Sequence, residues 1–310
     1  MTRGRDLPTI FFAEGRLAEP RGTEGSPEET SQLVADTPLA ASSAPAQKSP
    51  DGKRTIKIAS IQMEIGDNSK EENIRHAEDL IGAAKGADLI ILPEVWNLGY
   101  FSFEAYRSGS EEAIGESLQM VAKKAVETGA YILAGSIIEN ASGQFFNTSY
   151  LINPRGKVIG KYQKIHLFGY GSQESQLLTA GRDIVVVDTE IGKLGLSTCY
   201  DLRFPELYRK MMEEGAEVFL VDSAWPFSRL EHWRLLNQAR PVENLCFLAS
   251  SNAVGVNRGT KLGGHSMIID PWGEVLAEGN DNECILRTEI NLSDVQKRRT
   301  EFPALKDKKL

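Results

Sequence analysis

One cysteine in this chain has the surroundings of a nucleophile: Cys199, in the segment GLSTCYDLRFPEL, residues 195–207. The apolar run 193–198 predicts a buried strand that ends at the cysteine, and a helix is predicted from about Phe204. In open α/β sheets, reactive groups collect beyond the carboxyl ends of strands, and a thiol at a strand-to-helix turn lies near backbone N–H groups that can stabilise an oxyanion. Cys199 is therefore a candidate for attack on a carbonyl or nitrile carbon.

A cysteine nucleophile needs a base and a nearby positive charge, because the thiolate and not the thiol attacks. Histidine is the usual partner, but none of the four histidines falls at a strand end in an obvious triad pattern. Two other charged residues follow predicted strands: Glu94 comes after the apolar run 88–92, and Lys164 ends the run 158–164. A carboxylate can accept the thiol proton, and a lysine favours the thiolate and stabilises an oxyanion. Glu94 and Lys164 are therefore candidate partners of Cys199.

Each of these residues also has an ordinary structural interpretation. A lone cysteine at a strand end is usually a small buried hydrophobe, and Cys246 and Cys284 are interpreted as core thiols of this kind. Glu94 is compatible with a helix cap or a surface carboxylate, and Lys164 with a solvated lysine. The functional interpretation rests on the three motifs that carry Glu94, Lys164 and Cys199 occurring together.

The elements that must position these residues alternate as in a layered α/β fold. The first five have the order β-α-β-α-β, and later segments are typical of antiparallel hairpins, so we expect mixed sheets. A loop rich in Gly and Ser is predicted at 168–181. The predicted strands are 55–63, 88–92, 130–138, 145–153, 158–164, 183–188, 193–198, 217–222 and 245–251, followed by a hairpin at 264–279; the predicted helices are 69–85, 111–128, 203–214 and 229–243.

Composition excludes several classes of function. The net charge of −8 and the pI near 5.3 argue against nucleic-acid binding, which needs a basic face. Three widely spaced cysteines indicate neither a disulfide framework nor a metal site, and no apolar run is long enough to cross a bilayer. The prediction is a cytoplasmic protein with no nucleic-acid or membrane partner.

Residues 1–53 differ in composition from the rest of the chain. From Pro20 to Pro50 the segment is rich in Pro, Ser, Ala, Gly and Glu without apolar periodicity, which predicts a disordered tail. Its acidic residues argue against a transit peptide, and an overlong gene model is an alternative. The sequence therefore predicts one folded domain, residues 54–310, after the tail.

Three motifs, ILPEVWNLGY, GKYQKIHLF and LSTCYDLRFPEL, resemble in this order those of the nitrilase superfamily of carbon–nitrogen hydrolases. The resemblance extends over residues 56–289, and the segments DSAWPFSRLEHW and ARPVENLCFLASSN are similar to the omega-amidase branch, which includes 2-oxoglutaramate amidases. It implies an α-β-β-α sandwich with mixed sheets, and a homodimer or higher homo-oligomer in which the sheets of two subunits extend the layers.

The resemblance also implies roles for individual residues. Glu94 corresponds to the general base, Lys164 to the lysine that stabilises the oxyanion, and Cys199 to the nucleophile. Glu174, in GSQESQLLTAG, matches a second glutamate that orients the other three. The backbone N–H of Tyr200 is the predicted second oxyanion donor.

Several residues near these motifs are candidates for binding a substrate. Arg203, four residues after the cysteine, is suited to bidentate binding of a substrate carboxylate, although an ion pair with Asp201 is an equally good interpretation. Tyr100 and Trp225 are candidates for the pocket wall, with packing in the core as the alternative.

The sequence thus predicts an amidase that hydrolyses a small carboxamide without a metal or organic cofactor, through a cysteine thioester. The omega-amide of a dicarboxylate, such as 2-oxoglutaramate, is the predicted substrate. Alternatives within the superfamily are an N-carbamoyl amino acid amidohydrolase and a nitrilase. A Cys-His hydrolase that uses His166, and a non-catalytic binding protein on the same fold, are alternatives from other classes.

Overall fold

The computed structural model describes residues 54–112 and 114–309, so the predicted tail, residues 1–53, lies outside the described residues. Within the described ranges, no helix has the length and apolar character needed to cross a bilayer. The strands are β1 Thr55–Gln62, β2 Leu89–Ile91, β3 Tyr131–Ala141, β4 Gln144–Ile152, β5 Val158–Gln163, β6 Val186–Thr189, β7 Gly192–Thr198, β8 Val218–Ser223, β9 Phe247–Asn252, β10 Val256–Asn257, β11 Thr260–Lys261, β12 Met267–Ile269, β13 Val275–Glu278 and β14 Cys284–Asn291. The helices are α1 Lys70–Ala83, α2 Tyr106–Gly109, α3 Glu116–Thr128, α4 Glu174–Leu177, α5 Pro205–Glu213, α6 Leu230–Asn244 and α7 Ser293–Glu301.

Twelve of these strands form two six-stranded sheets, with the orders β14-β1-β2-β3-β4-β5 and β13-β12-β9-β8-β7-β6. In each sheet the three inner strands that alternate with helices pair in parallel, β1-β2-β3 in the first and β7-β8-β9 in the second. The outer strands pair antiparallel, as hairpins require. The predicted mixed sheets are therefore confirmed.

The two sheets pack face to face, and helices cover their outer faces. Successive side chains of β1 point to opposite faces of the first sheet. Ile58 packs in the core shared with the second sheet, whereas its neighbour Ala59 packs in the cluster that includes helices α1 and α3. On the other side, Met211 of α5 and Trp233 of α6 bury their side chains against the second sheet. This arrangement is the expected α-β-β-α sandwich.

Two predictions of local structure are wrong. Helix α3 begins at Glu116 rather than at Glu111, because the Glu111 backbone pairs with Ile138 of β3 and its carboxylate accepts hydrogen bonds from Ser117 N (3.1 Å) and Ser117 Oγ (2.6 Å). Glu111 thus caps the helix from outside it. The segment 168–181 is also not loop throughout, because it contains the one-turn helix α4.

Candidate active site

Three charged side chains predicted from separate motifs meet in the interior. Lys164 Nζ donates hydrogen bonds to Glu94 Oε1 at 2.7 Å, and to Glu174 Oε1 and Oε2 at 2.9 and 3.0 Å. All three side chains are fully buried. Asn147 of β4 donates through Nδ2 to both carboxylates, at 2.9 Å each. Asn147 was not predicted from the sequence, although an asparagine inside an apolar strand was a signal, since strands are depleted in this residue.

Glu94 joins the ends of strands that belong to different sheets. It follows β2 of the first sheet, and its Oε2 accepts a hydrogen bond from Ala224 N at 3.0 Å, directly after β8 of the second sheet. Its own N–H donates to Ser223 O at 3.3 Å. The carboxylate is therefore held from both sheets.

Glu174 lies at the start of helix α4 and is the most fully bonded member of the cluster. Besides the bonds from Lys164 and Asn147, its Oε2 accepts hydrogen bonds from Phe168 N at 2.7 Å and Tyr100 Oη at 3.1 Å. A buried carboxylate with this many donors is fixed in position. The structure therefore brings Glu174 to the other predicted residues, as the resemblance implied.

Cys199 follows β7 and adopts a left-handed backbone conformation, with φ of 46°. Non-glycine residues rarely hold this conformation unless their surroundings enforce it. Here the turn is fixed by Asp201, whose Oδ2 accepts hydrogen bonds from Thr198 N at 2.9 Å and Tyr162 Oη at 2.6 Å. The Glu94 carboxylate is close enough to the thiol to affect the pKa of Cys199.

Burial and charge determine the protonation of the cluster. Burial raises the pKa of the Cys199 thiol well above its usual range, and the charge of Glu94 raises it further against the opposing effect of Lys164. Burial likewise raises the pKa of Glu94, which Lys164 lowers and Glu174 raises. Burial alone would lower the pKa of Lys164, but Glu174 and Glu94 raise it well above its usual range. The resting site therefore favours a thiol beside a permanently charged ammonium.

A second buried carboxylate lies behind the turn at Cys199. Asp222, in β8, accepts hydrogen bonds from Ser149 Oγ at 2.9 and 3.0 Å and from Thr198 Oγ1 at 3.1 Å. Burial and the charge of Glu94 raise the pKa of Asp222 to about 7. This contact between the sheets was not predictable from a local pattern, because Ser149 is far in sequence from Thr198 and Asp222.

A small pocket opens above Cys199, with about 330 Å³ of empty space, part of which is open to solvent. The predicted substrate-binding residues all line it: Tyr100, Arg203 and Trp225, together with Cys199 and Tyr200. Arg203 Cζ lies 4.7 Å from the centroid of a Trp225 ring, and Arg203 Nη2 is 3.2 Å from His232 Nδ1.

The alternative ion pair between Asp201 and Arg203 is wrong, because Asp201 is occupied by other donors. Its Oδ1 accepts a hydrogen bond from His166 N at 3.1 Å and lies 2.7 Å from His166 Nδ1. The His166 ring also stacks on Phe204, with centroids 3.7 Å apart. His166 is thus a satisfied polar residue that helps hold the turn after Cys199.

The other two cysteines differ in burial. Cys246 is fully buried, and its thiol donates to Ala216 O at 3.2 Å, so its interpretation as a core thiol is confirmed. Cys284 is only partly buried, at the start of β14, where it packs against the edge of the core.

Comparison with known proteins gives one consistent family. The sequence model of the carbon-nitrogen hydrolase family matches residues 57–300. A 2-oxoglutaramate amidase of Paenarthrobacter nicotinovorans is 35% identical over 263 residues, which are 82% of this chain and 90% of that protein. A 2-oxoglutaramate amidase of Bacillus subtilis is 38% identical over 252 residues, which are 81% of this chain and 96% of that protein.

Among solved structures, a CN-hydrolase superfamily protein of Xanthomonas campestris with an arsenic adduct in its active site matches with a TM-score of 0.78 and 30% identity. The match covers 83% of this chain and 98% of that one. Family, fold and the sequence motifs therefore agree, and this chain belongs to the carbon–nitrogen hydrolase family.

Proposed function

We propose that this carbon–nitrogen hydrolase is an amidase that converts the omega-amide of a small dicarboxylate, such as 2-oxoglutaramate, to the acid and ammonia. The observation that carries the proposal is the buried Lys164 with its two carboxylates, beneath a pocket lined by Cys199 and Arg203. The reaction needs no cofactor in this scheme, because Glu94 and Lys164 supply the proton acceptor and the positive charge. The names of the two bacterial relatives support this substrate class.

Acylation begins with Glu94 accepting the Cys199 proton as the sulfur attacks the amide carbon. Because the pKa of the buried thiol is raised, proton transfer is coupled to attack and no free thiolate accumulates. Glu94 then returns the proton to the amide nitrogen, the carbon–nitrogen bond breaks, and ammonia leaves a thioester on Cys199.

Two donors stabilise the tetrahedral oxyanion in this scheme. Tyr200 is in the first turn of the short helix Cys199–Arg203, where backbone N–H groups lack partners within the helix. Lys164 contacts both oxygens of Glu174, so it can turn one N–H to the oxyanion and still hold Glu174 through the other. Glu174 acts as a positioning residue for this lysine.

In deacylation, Glu94 again first accepts a proton and then donates it. Glu94 takes a proton from water, the hydroxide attacks the thioester carbon, and the carbon–sulfur bond breaks. The sulfur recovers the proton from Glu94 and the carboxylic acid leaves. Arg203 binds the distal carboxylate of the substrate throughout both half-reactions.

Ammonia release from a substrate panel tests the proposal. The panel contains 2-oxoglutaramate, succinamate, glutamine, simple aliphatic amides, an N-carbamoyl amino acid and a nitrile. We expect turnover of the first two, an acyl-enzyme mass on Cys199, no turnover by Cys199→Ala, and near-normal turnover by the matched control Cys284→Ala. Ammonia release by Cys199→Ala, or preference for the N-carbamoyl compound or the nitrile, contradicts the proposal.

We further propose that the enzyme is a cytoplasmic homodimer or higher homo-oligomer. The acidic composition and the absence of a disulfide pattern support the compartment, and the superfamily resemblance supports the assembly. Sedimentation of the purified chain tests the assembly, and a monomer at micromolar concentration contradicts it.

A further inference from the structure

A second arginine, Arg229, lines the same pocket as Cys199 and was not found by sequence analysis. It ends the short helical turn Phe227–Arg229 that precedes α6, and its carbonyl oxygen accepts a hydrogen bond from Trp225 Nε1 at 2.8 Å. Its Cζ lies 5.1 Å from the centroid of the Phe168 ring. The backbone of Arg229 is thus fixed to one aromatic wall of the pocket, and its guanidinium lies against another.

The two pocket arginines lack acidic partners. Elsewhere, Arg54, Arg234 and Arg240 each pair with a glutamate. In the part of the chain that the structure describes, neither Arg203 nor Arg229 forms an ion pair; both contact aromatic rings instead. Other half-buried arginines also form no ion pair; Arg299, for example, donates to the carbonyl oxygens of Ala216 and Asn244 instead. What distinguishes Arg203 and Arg229 is that both line one pocket beside Cys199 without an acidic partner, and this placement favours a bound anion.

The two arginines line the same pocket, and the charge of one affects the other. Burial lowers the pKa of Arg203, and the positive charge of Arg229 lowers it further. An anion between them would relieve this repulsion and gain charge-assisted hydrogen bonds from both. Among the described residues, no acidic side chain lines the pocket, so no negative charge in its lining would pair with a positively charged substrate group.

We propose that Arg229 is a second anion-binding residue of this pocket, which with Arg203 binds the distal carboxylate of the substrate and disfavours an ammonium group beside it. The inference rests on the proposed function and deepens it. An oxo group next to the carboxylate accepts hydrogen bonds from guanidinium, whereas an ammonium group at that place meets two positive charges. The pair therefore selects 2-oxo acid amides over amino acid amides such as glutamine.

Two substrates that differ only at the distal end test the role of Arg229. Succinamate carries a carboxylate where butanamide carries a methyl group. For Arg229→Met, the loss of one charge-assisted hydrogen bond predicts a rise in the KM for succinamate of roughly 10- to 100-fold. We expect kcat/KM for butanamide to stay within about threefold, since Met keeps the apolar part of the side chain. Arg229→Lys should restore part of the loss, and the exposed control Arg75→Met should change neither substrate.

Binding of succinate separates this inference from the proposed function, because it requires no chemistry. We expect calorimetry to show weaker succinate binding to Arg229→Met than to the wild type. In kinetic assays, we expect the ratio of kcat/KM for 2-oxoglutaramate to kcat/KM for glutamine to be lower for Arg229→Met. If the wild type hydrolyses no omega-amide, but Arg229→Met still binds succinate more weakly than the wild type does, the proposed function fails and the anion site stands. Unchanged KM for succinamate and unchanged succinate affinity, or no succinate binding by the wild type, overturns the inference.

Discussion

Replacing Lys164 with methionine tests how far the buried cluster depends on its single cation. Methionine has a similar length but leaves Glu94 and Glu174 facing each other, with Asn147 as their shared donor. Removing one partner of a buried ion pair typically costs about 3–5 kcal/mol, because the remaining charge is buried without compensation. Lys164 makes three hydrogen bonds to two carboxylates, so we expect the free energy of unfolding of Lys164→Met to fall by an amount in this range at neutral pH.

The pH dependence of this loss has a defined sign. Without the lysine, burial and the charge of Glu174 raise the pKa of Glu94 in the folded state still further above its unfolded value. The folded state then binds protons more tightly, so its stability is highest at low pH and falls as pH rises. The deficit of Lys164→Met should therefore be smaller at pH 5 than at pH 8.

A second substitution distinguishes charge balance from loss of packing. Adding Glu174→Gln removes one of the two negative charges, and the amide oxygen can still accept hydrogen bonds from Phe168 N and Tyr100 Oη. We expect the double variant to be more stable than Lys164→Met alone, while ammonia release stays abolished in both. Urea unfolding followed by tryptophan fluorescence measures the first quantity, and the exposed Lys123→Met is the control. A Lys164→Met variant as stable as the wild type at pH 8, or a double variant no more stable than the single one, refutes the reasoning.

Two further predictions concern other parts of the chain. Burial raises the pKa of Asp222 to about 7, above its ordinary value of 3.8. The folded state therefore binds this proton more tightly than the unfolded state, and the wild type loses stability as pH rises between these two values. We expect the free energy of unfolding of Asp222→Asn to fall less than that of the wild type between pH 5 and pH 8. Identical pH slopes in urea unfolding would rule this out. Removal of residues 1–53 should leave kcat/KM for succinamate unchanged, and a large loss of activity would show that the tail belongs to the functional domain.

Much of the fold was predictable because its signals are local. The apolar runs at β1 and β2, the Ser69 start of α1 and the hairpin turns depend on patterns a few residues long, and all appear in the structure. Helix α3 was placed too early because Glu111 is bonded to β3, which no local pattern can reveal.

The residues of the candidate site likewise fall into those that a local sequence pattern indicates and those that it does not. Glu94, Lys164 and Cys199 were found because each follows a strand, and Glu174 because its motif matched the family. Asn147, Asp222 and Arg229 were missed, because their partners come from other elements and their importance appears only when the chain is folded. Arg203 lines the pocket as predicted. The alternative, an ion pair with Asp201, is wrong because the Asp201 carboxylate already bonds to three other residues, Thr198, Tyr162 and His166.

Glu94 connects the two sheets, because its carboxylate and its backbone N–H bond to Ala224 and Ser223 at the end of β8. Glu94 and Lys164 follow strands of one sheet, and Cys199 follows a strand of the other, so neither sheet alone contains the complete proposed reaction centre. A partly folded chain therefore carries Cys199 as an ordinary thiol, without the base beside it. The proposed reactivity of Cys199 toward acyl groups therefore requires both sheets to be packed together, and is a property of the assembled sandwich rather than of either sheet.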